Sequence, residues 1–266
     1  MVKRMIKTIY PTKIEESYAS NIKSLVSELN ELILYEFDNV IAPQIKSEKL
    51  LTDELVLDSF FFRLKKSVNK MNSLALGAFP NTMSKKAATR YAFGISTVNK
   101  TNIDNQLTTK GFNRISSENW LKPFLDTKIE ENVSYITKIR DDQVANIEQI
   151  IYRGVSKGQS VAEMREQILE VSDKSLNQAD FIARDQTGTL LGQLTAERHK
   201  NAGIRAFRWS DSGDIKVRDS HAERNDKIFF YADNPLLPGE DYGCRCVAEM
   251  VDEFDDDYVE ALKTRK

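Results

Sequence analysis

A few side chains in the last third of the chain have the chemistry to bind a metal or move a proton. Cys244 and Cys246 are the only cysteines, and His221, one of two histidines, precedes them. Thiolate and imidazole are preferred zinc ligands, and a structural zinc site takes four. Asp219 or His199 would have to complete the set. The Cys-x-Cys spacing, shorter than the usual Cys-x-x-Cys, favours another interpretation. In this second interpretation, the cysteine pair stabilises a small sheet by packing against it, and His221 forms a hydrogen bond with a neighbouring loop.

The residues around His221 are also those of general acid–base chemistry. Arg218 and Asp219 come before it, and Glu223 and Arg224 come after it. A nuclease or transferase needs a second titrating partner beside the imidazole and a cation on the phosphate. The sequence has no Walker loop, nucleotide fingerprint, His-Glu-x-x-His motif or nucleophile elbow. A nuclease-like or toxin-like enzyme stays an alternative, but the preferred prediction is not an enzyme and assigns no catalytic residue and no cofactor other than zinc.

The stretch between Phe61 and Phe112 is rich in lysine and arginine, and Asp104 is its only acid. A locally cationic surface attracts a polyanion, and the release of counterions favours DNA. No groove-reading motif is present, so contacts would be to the DNA backbone and independent of base sequence. The alternative is a solvated helix face. The candidate DNA-contacting residues are Lys65, Lys66, Lys70, Lys85, Lys86 and Arg90.

The elements that position these residues are predicted to be mainly helices. Apolar residues recur at helical spacing through most of the chain before Gly154. Thr12–Glu15 and Ser160–Glu163 have the pattern of capping boxes, which predicts a helix start at each. Pro43 is expected to end or kink the first helix, because proline lacks the amide hydrogen that a helix interior needs.

A further helix is predicted over residues 177–201. Residues 171–175 are predicted to connect it to a shorter helix before it. Gly203 fits the left-handed cap that ends many helices. His199 lies late in this helix, where a positive charge would interact favourably with the helix dipole.

After Gly203 the periodicity changes from helical to strand-like. The first two strand candidates flank a turn at Asp211–Asp214 and are predicted to form a hairpin. A short C-terminal helix is predicted over residues 258–266. The four strand candidates are residues 204–209, 215–217, 228–231 and 246–251. Together these patterns predict an α+β fold, mostly α, with a small C-terminal module built on a short antiparallel sheet.

Length and composition limit the possible protein classes. The chain has 266 residues and a net charge of −2. No window approaches the roughly 18 apolar residues of a membrane span, and the basic N-terminus lacks the long apolar run of a signal peptide. Two cysteines do not indicate a disulfide scaffold. We therefore expect a soluble protein of the reducing cytoplasm. We divide it into a helical region (1–153), a compact module (154–251) and a tail helix (252–266).

One ordered set of residues resembles a known family. In chain order the set is Ala183-Arg184, Gly203-Ile204, Trp209, Asp214, Val217-Arg218, His221 and Cys244-Arg245-Cys246. It is similar to the phage minor head protein family named after phage Mu protein F, which includes the SPP1-type head morphogenesis proteins. The resemblance covers roughly residues 155–251. The family often has a glycine shortly after the histidine, where this chain has Asn225-Asp226-Lys227.

The resemblance implies a virion component that acts in head morphogenesis. It implies a place inside the phage head at the portal vertex, after assembly in the host cytoplasm, and a role in DNA packaging or delivery. The portal protein is the implied partner, with capsid or scaffold protein and packaged double-stranded DNA as further candidates. A metal-stapled interaction module is kept as a separate alternative.

Overall fold

Helices dominate the computed structural model, which describes residues 6–48 and 54–265. The predicted class, α+β and mostly α, is confirmed. None of the described helices pairs sufficient length with sufficient hydrophobicity to cross a lipid bilayer. The helices are α1 (Thr12–Glu36), α2 (Ala42–Glu48), α3 (Glu54–Ala78), α4 (Asn81–Lys110), α5 (Leu121–Ser156), α6 (Val161–Asn201), α7 (Asp219–Ala222) and α8 (Asp256–Thr264).

The interruption expected at Pro43 takes the form of a widened turn. A π-helical segment, Phe37–Ile41, joins α1 to α2 and ends two residues before the proline. Proline crowds the preceding helical turn and cannot donate a backbone hydrogen bond, and an added residue in the turn relieves this. Phe37 and Ile41 remain fully buried, so the helix changes its winding without losing its apolar face.

Helix α6 is one continuous element, and the predicted connector at residues 171–175 is wrong. The hydroxyls of Ser172 and Ser175 donate to carbonyl oxygens four residues earlier, both at 3.0 Å. Serine is tolerated inside a helix when its hydroxyl bonds back in this way. The capping box at the start of α6 is confirmed. The Ser160 amide donates to the Glu163 carboxylate at 2.7 Å, and the Glu163 amide donates to the Ser160 hydroxyl at 3.1 Å.

The other end of α6 has the predicted glycine cap. Gly203 has a φ of +80°, a conformation that favours glycine. The Ile204 amide donates to the His199 carbonyl oxygen at 2.9 Å, which closes the last turn. The chain then enters its first strand.

The sheet has three antiparallel strands in the order β2-β1-β3. They are β1 (Ala206–Ser210), β2 (Ile228–Phe230) and β3 (Val247–Val251). The predicted hairpin with residues 215–217 is wrong, because β1 pairs with β2 and β3 instead. Asp214 organises that stretch as a turn and accepts the Lys216 amide at 2.7 Å. Ile215 is fully exposed, so its apolar side chain does not mark a strand packed on the core.

The chain divides into two compact units. The sheet-containing unit takes its described residues from Met1–Tyr18, Ala88–Glu130 and Phe181–Lys266. Its sheet packs Phe207 and Trp209 into one buried cluster. The helical unit takes its residues from Ala19–Ala87 and Glu131–Asp180. The division of the chain at residues 153 and 251, made from the sequence, stays a prediction.

Two glycines on α6 allow a loop of the sheet-containing unit to lie directly on the helix. A Cβ atom added at Gly188 would lie 2.2 Å from the Cys244 carbonyl oxygen, and one at Gly192 would lie 2.3 Å from the Pro238 carbonyl oxygen. Gly239 faces them from the loop with a φ of +96°. Real Cβ atoms do not approach backbone this closely, so the residues from Pro238 to Cys244 keep their position only while these sites are glycine.

We predict that Gly188→Ala destabilises the protein, because the methyl group must displace backbone rather than a flexible side chain. The expected decrease is about 1–3 kcal/mol in the free energy of unfolding, measured by chemical denaturation. Gly77→Ala is the matched control: it is also helical, but open space surrounds its added Cβ. The control should be stabilised by about 0.5–1 kcal/mol. Equal stability of Gly188→Ala and the wild type would contradict the close approach.

Candidate functional site

The candidate site lies where β1, α7 and the chain leading into β3 meet. Phe207 and Trp209 on β1 share a buried cluster with Cys244 and Cys246. His221, on α7, lies edge-on to the Trp209 indole with 5.3 Å between ring centroids. Alternation along β1 directs Phe207 and Trp209 to the same side of the sheet, and this side forms the floor of the site.

The structure brings the two thiols and the imidazole together. The Nδ1 atom of His221 lies 3.4 Å from the Cys244 Sγ and 3.5 Å from the Cys246 Sγ. One ligand atom from each residue lies within 4.8 Å of the others, and all three residues are buried. Among the residues that the structure describes, no fourth histidine, cysteine or acid joins them. Asp219 and His199, considered for the fourth position from the sequence, are not part of the group.

Asp241 orients the imidazole. Its Oδ2 atom lies 3.1 Å from the His221 Nε2 atom. A carboxylate has no hydrogen to donate, so it accepts the hydrogen bond and Nε2 carries the hydrogen. In the neutral imidazole, Nδ1 then directs its lone pair towards the sulfur atoms. Arg218 supports the same loop: its Nη2 donates to the Tyr242 carbonyl oxygen, and its Nη1 lies 3.5 Å from Asp241. Asp241 was not among the sequence candidates.

The two thiols have unequal acidity. A hydrogen bond from the Cys246 side chain, helped by the Cys246 amide, lowers the pKa of Cys244 to about 6. The amide donates to the Cys244 Sγ at 3.3 Å. The same side-chain hydrogen bond, together with burial, raises the pKa of Cys246. Cys244 is therefore the more acidic of the two thiols.

Arg245 joins the site to the N-terminal segment. Its Nη2 lies 2.5 Å from the Glu15 Oε1, and its Nε donates to Oε2 at 3.3 Å. The Tyr10 hydroxyl donates to the same carboxylate at 2.6 Å. The predicted capping box at Thr12 is therefore wrong. Glu15 binds Arg245 and Tyr10, and the Thr12 amide donates to the Tyr10 carbonyl oxygen instead.

Most residues of the ordered motif line one cavity of about 250 Å³. Four motif residues do not line it: Gly203 caps α6, and Ala183, Ile204 and Trp209 are buried in the core. The Nε atom of Arg184 is buried without a hydrogen-bond partner among the described residues. Lys216 adds a further cation to the lining. The motif residues that line the cavity are Arg184, Asp214, Val217, Arg218, His221, Cys244, Arg245 and Cys246.

The residues considered for acid–base chemistry are not assembled around one point. Asp219, Glu223 and Arg224 do not line the cavity. Arg224 instead lies over the Trp209 ring, 5.2 Å from its centroid. The cysteine pair and Asp241 occupy both ring nitrogens of His221. Both nitrogen atoms of the imidazole therefore already contact protein atoms.

His199 is not a charge at the end of α6, so that interpretation is wrong. The residue is fully buried, and its Nδ1 atom lies 2.7 Å from the Tyr231 hydroxyl. Burial lowers the pKa of His199 to about 3. The imidazole is therefore neutral at pH 7 and contributes packing and a hydrogen bond.

The six basic candidates for DNA contact are all exposed. Lys65, Lys66 and Lys70 lie on α3, and Lys85, Lys86 and Arg90 lie on α4. Exposure allows their charges to attract a polyanion. Of the aromatic residues in the same stretch, Phe79 and Tyr91 are core residues and Phe93 is half-exposed.

These features define a mostly helical protein with a small antiparallel sheet in its C-terminal part. Comparison with known proteins agrees with the resemblance found in the sequence. The family model described as Phage Mu protein F like protein matches residues 145–249, so this part of the chain is similar to that family.

One similar curated protein is from Haemophilus influenzae and bears the name "Uncharacterized protein". It is 36% identical over 119 residues, which is 44% of this chain. The match spans only 27% of that protein's length. No solved structure matches the chain.

We predict that His199 makes stability depend on pH in mildly acidic solution. The unfolded state takes up a proton below about pH 6.5, whereas the folded state resists protonation down to about pH 3. Stability should fall as pH drops through this window, by up to about 3 kcal/mol at pH 4 from this group. Denaturant titrations at several pH values should show a shallower fall for His199→Gln. Parallel curves for the two proteins would contradict the buried neutral imidazole.

Proposed function

We propose that this protein is a phage minor head protein that docks at the portal vertex inside the capsid and assists DNA packaging or delivery. The observation that carries the proposal is the family match over residues 145–249. Residues of the ordered motif within that match form hydrogen bonds and ion pairs inside the protein. His221 contacts the carboxylate of Asp241, and Arg245 pairs with the carboxylate of Glu15. A module whose segments are fixed by such internal contacts suits a protein that holds an assembly together.

Helix α3 offers a surface for the portal protein. Phe61 is 46% exposed and Phe62 is 72% exposed. Leu74 and Leu76, further along the same helix, are also exposed. Large apolar side chains collected on one exposed element indicate a protein interaction site more than a solvated surface. We assign the portal contact to this helix and the rigid fastening role to the sheet-containing unit.

We predict that Phe61→Asp with Phe62→Asp weakens association with the portal protein of the same phage by about tenfold or more. The charges would have to be buried without partners at the contact. Co-purification and titration of the two full-length proteins measure the decrease in affinity.

Cryo-electron microscopy of heads made with and without the protein should show its density at the portal vertex.

Phe254→Asp is the matched control, because Phe254 is 78% exposed and belongs to the sheet-containing unit. It should bind the portal protein as the wild type does. If the wild-type protein and the portal protein do not associate, the docking proposal fails. If both variants bind normally, the assignment to α3 fails.

We also propose that the exposed basic residues of α3 and α4 contact packaged double-stranded DNA through its phosphates. The net charge of the chain is −2, so any attraction must come from local charge rather than from the whole molecule. Between Phe61 and Phe112 the sequence has Asp104 as its only acid, and this carboxylate pairs with Lys100 at 2.7 Å. The positive charge of this stretch therefore exceeds its negative charge and can attract the DNA backbone.

We predict sequence-independent DNA binding that weakens steeply with salt. Charge reversal at Lys65, Lys66, Lys85 and Lys86 should abolish it, and the slope of log affinity against log salt should fall by about 0.9 for each phosphate that is no longer neutralised. The matched control reverses four exposed lysines elsewhere and changes the net charge equally. These are Lys13, Lys157, Lys174 and Lys227. An equal decrease in both variants would show that only net charge matters, and retained binding in the first would exclude this surface.

A further inference from the structure

We propose that Cys244, Cys246 and His221 bind one zinc ion, with a fourth coordination position that opens into the adjoining cavity. The site is independent of portal docking, because it is built entirely within the sheet-containing unit. The donors are both sulfur atoms and the Nδ1 atom of the imidazole.

The two sulfur-to-nitrogen distances fit a tetrahedral zinc ion. Zinc–sulfur bonds of about 2.3 Å and a zinc–nitrogen bond of about 2.0–2.1 Å at a tetrahedral angle place sulfur and nitrogen about 3.6 Å apart. The observed separations are 3.4 Å for Cys244 and 3.5 Å for Cys246. Each sulfur atom therefore already lies at nearly the distance from Nδ1 that the ion would impose.

The surroundings of the donors also suit a bound cation. A histidine that ligates a metal usually donates its other ring nitrogen to a carboxylate, and Asp241 accepts from His221 at 3.1 Å. The Cys246 amide donates to the Cys244 sulfur, which stabilises negative charge on a ligand thiolate. Two soft thiolates and one imidazole select zinc over magnesium or calcium, which prefer oxygen.

The polypeptide positions these donors in advance. The loop that carries Asp241 and both cysteines rests on Gly188 and Gly192 of α6. Asp185 holds it by accepting the Gly243 amide at 2.9 Å. A zinc ion would tie this loop to α7, which has only one helical turn. The ion would thus stabilise the part of the sheet-containing unit that has the least regular structure.

Only three protein ligands are available among the described residues, and all three line the cavity of about 250 Å³. The open position would take an oxygen ligand, which is water in the isolated protein. Arg184, Lys216 and Arg218 line the same cavity and would favour an anionic oxygen there. The proposed site therefore has three protein ligands and one open position, whereas a structural zinc site has four protein ligands.

We expect the full-length protein, purified without chelator, to contain one zinc ion per chain by elemental analysis. Cobalt added to the chelated protein should produce the intense visible absorption of tetrahedral Co²⁺ and thiolate-to-metal charge-transfer bands. Cys244→Ser and Cys246→Ser should each lose the charge-transfer bands of one thiolate and bind metal more weakly. Asp241→Asn keeps all three ligands and should lower zinc affinity by about 10–100-fold in a chelator competition.

The matched control is His199→Gln, which removes the other histidine, one outside the cluster. It should bind zinc and cobalt as the wild type does. If a cysteine variant does not fold, the wild-type cobalt spectrum and the Asp241→Asn affinity still decide the question. A folded wild-type protein with two free thiols, no stoichiometric metal and no cobalt spectrum would overturn the proposal, and so would a disulfide between Cys244 and Cys246.

Discussion

The site depends on a backbone-to-backbone contact between helix α6 and the loop before β3. Gly188 and Gly192 leave room for the carbonyl oxygens of Cys244 and Pro238, and no other residue type could do so without moving the chain. This contact positions the loop, and the loop places both thiols beside the His221 imidazole. Hydrogen bonds from the loop to Asp185 and from Gln193 to Glu240 hold the contact along its length. The geometry of the site is therefore set by a helix that supplies none of the three donors.

Charge pairing explains how polar groups can be buried in the sheet-containing unit. A buried charge is tolerated only when it has hydrogen-bonded partners. Glu15 is paired with Arg245, and the fully buried Arg198 is paired with Glu118 at 2.7 Å. Each pair joins segments that are far apart in the chain. These contacts determine which segments meet, whereas the apolar clusters supply most of the free energy of burial.

Several residues of the family motif take part in a network of contacts within the protein. Arg245 binds the N-terminal segment, Arg218 binds the loop, and His221 lies between the thiols and Asp241. Every one of these contacts joins protein to protein. The proposed zinc ion would add bonds to the same network of contacts. Its open position would face the cavity that the motif residues line.

The sequence by itself determined the local features of this protein. Apolar periodicity predicted the helices, the Ser160–Glu163 pattern and Gly203 predicted both ends of α6, and the ordered motif indicated the family. These signals are local because they depend on neighbours within one or two turns. Only the tertiary structure decided the continuity of α6 through residues 171–175, the turn in place of a strand at 215–217 and the neutral state of His199. It also supplied Asp241 and Glu15 as partners, because burial and charge pairing depend on residues brought together from distant parts of the chain.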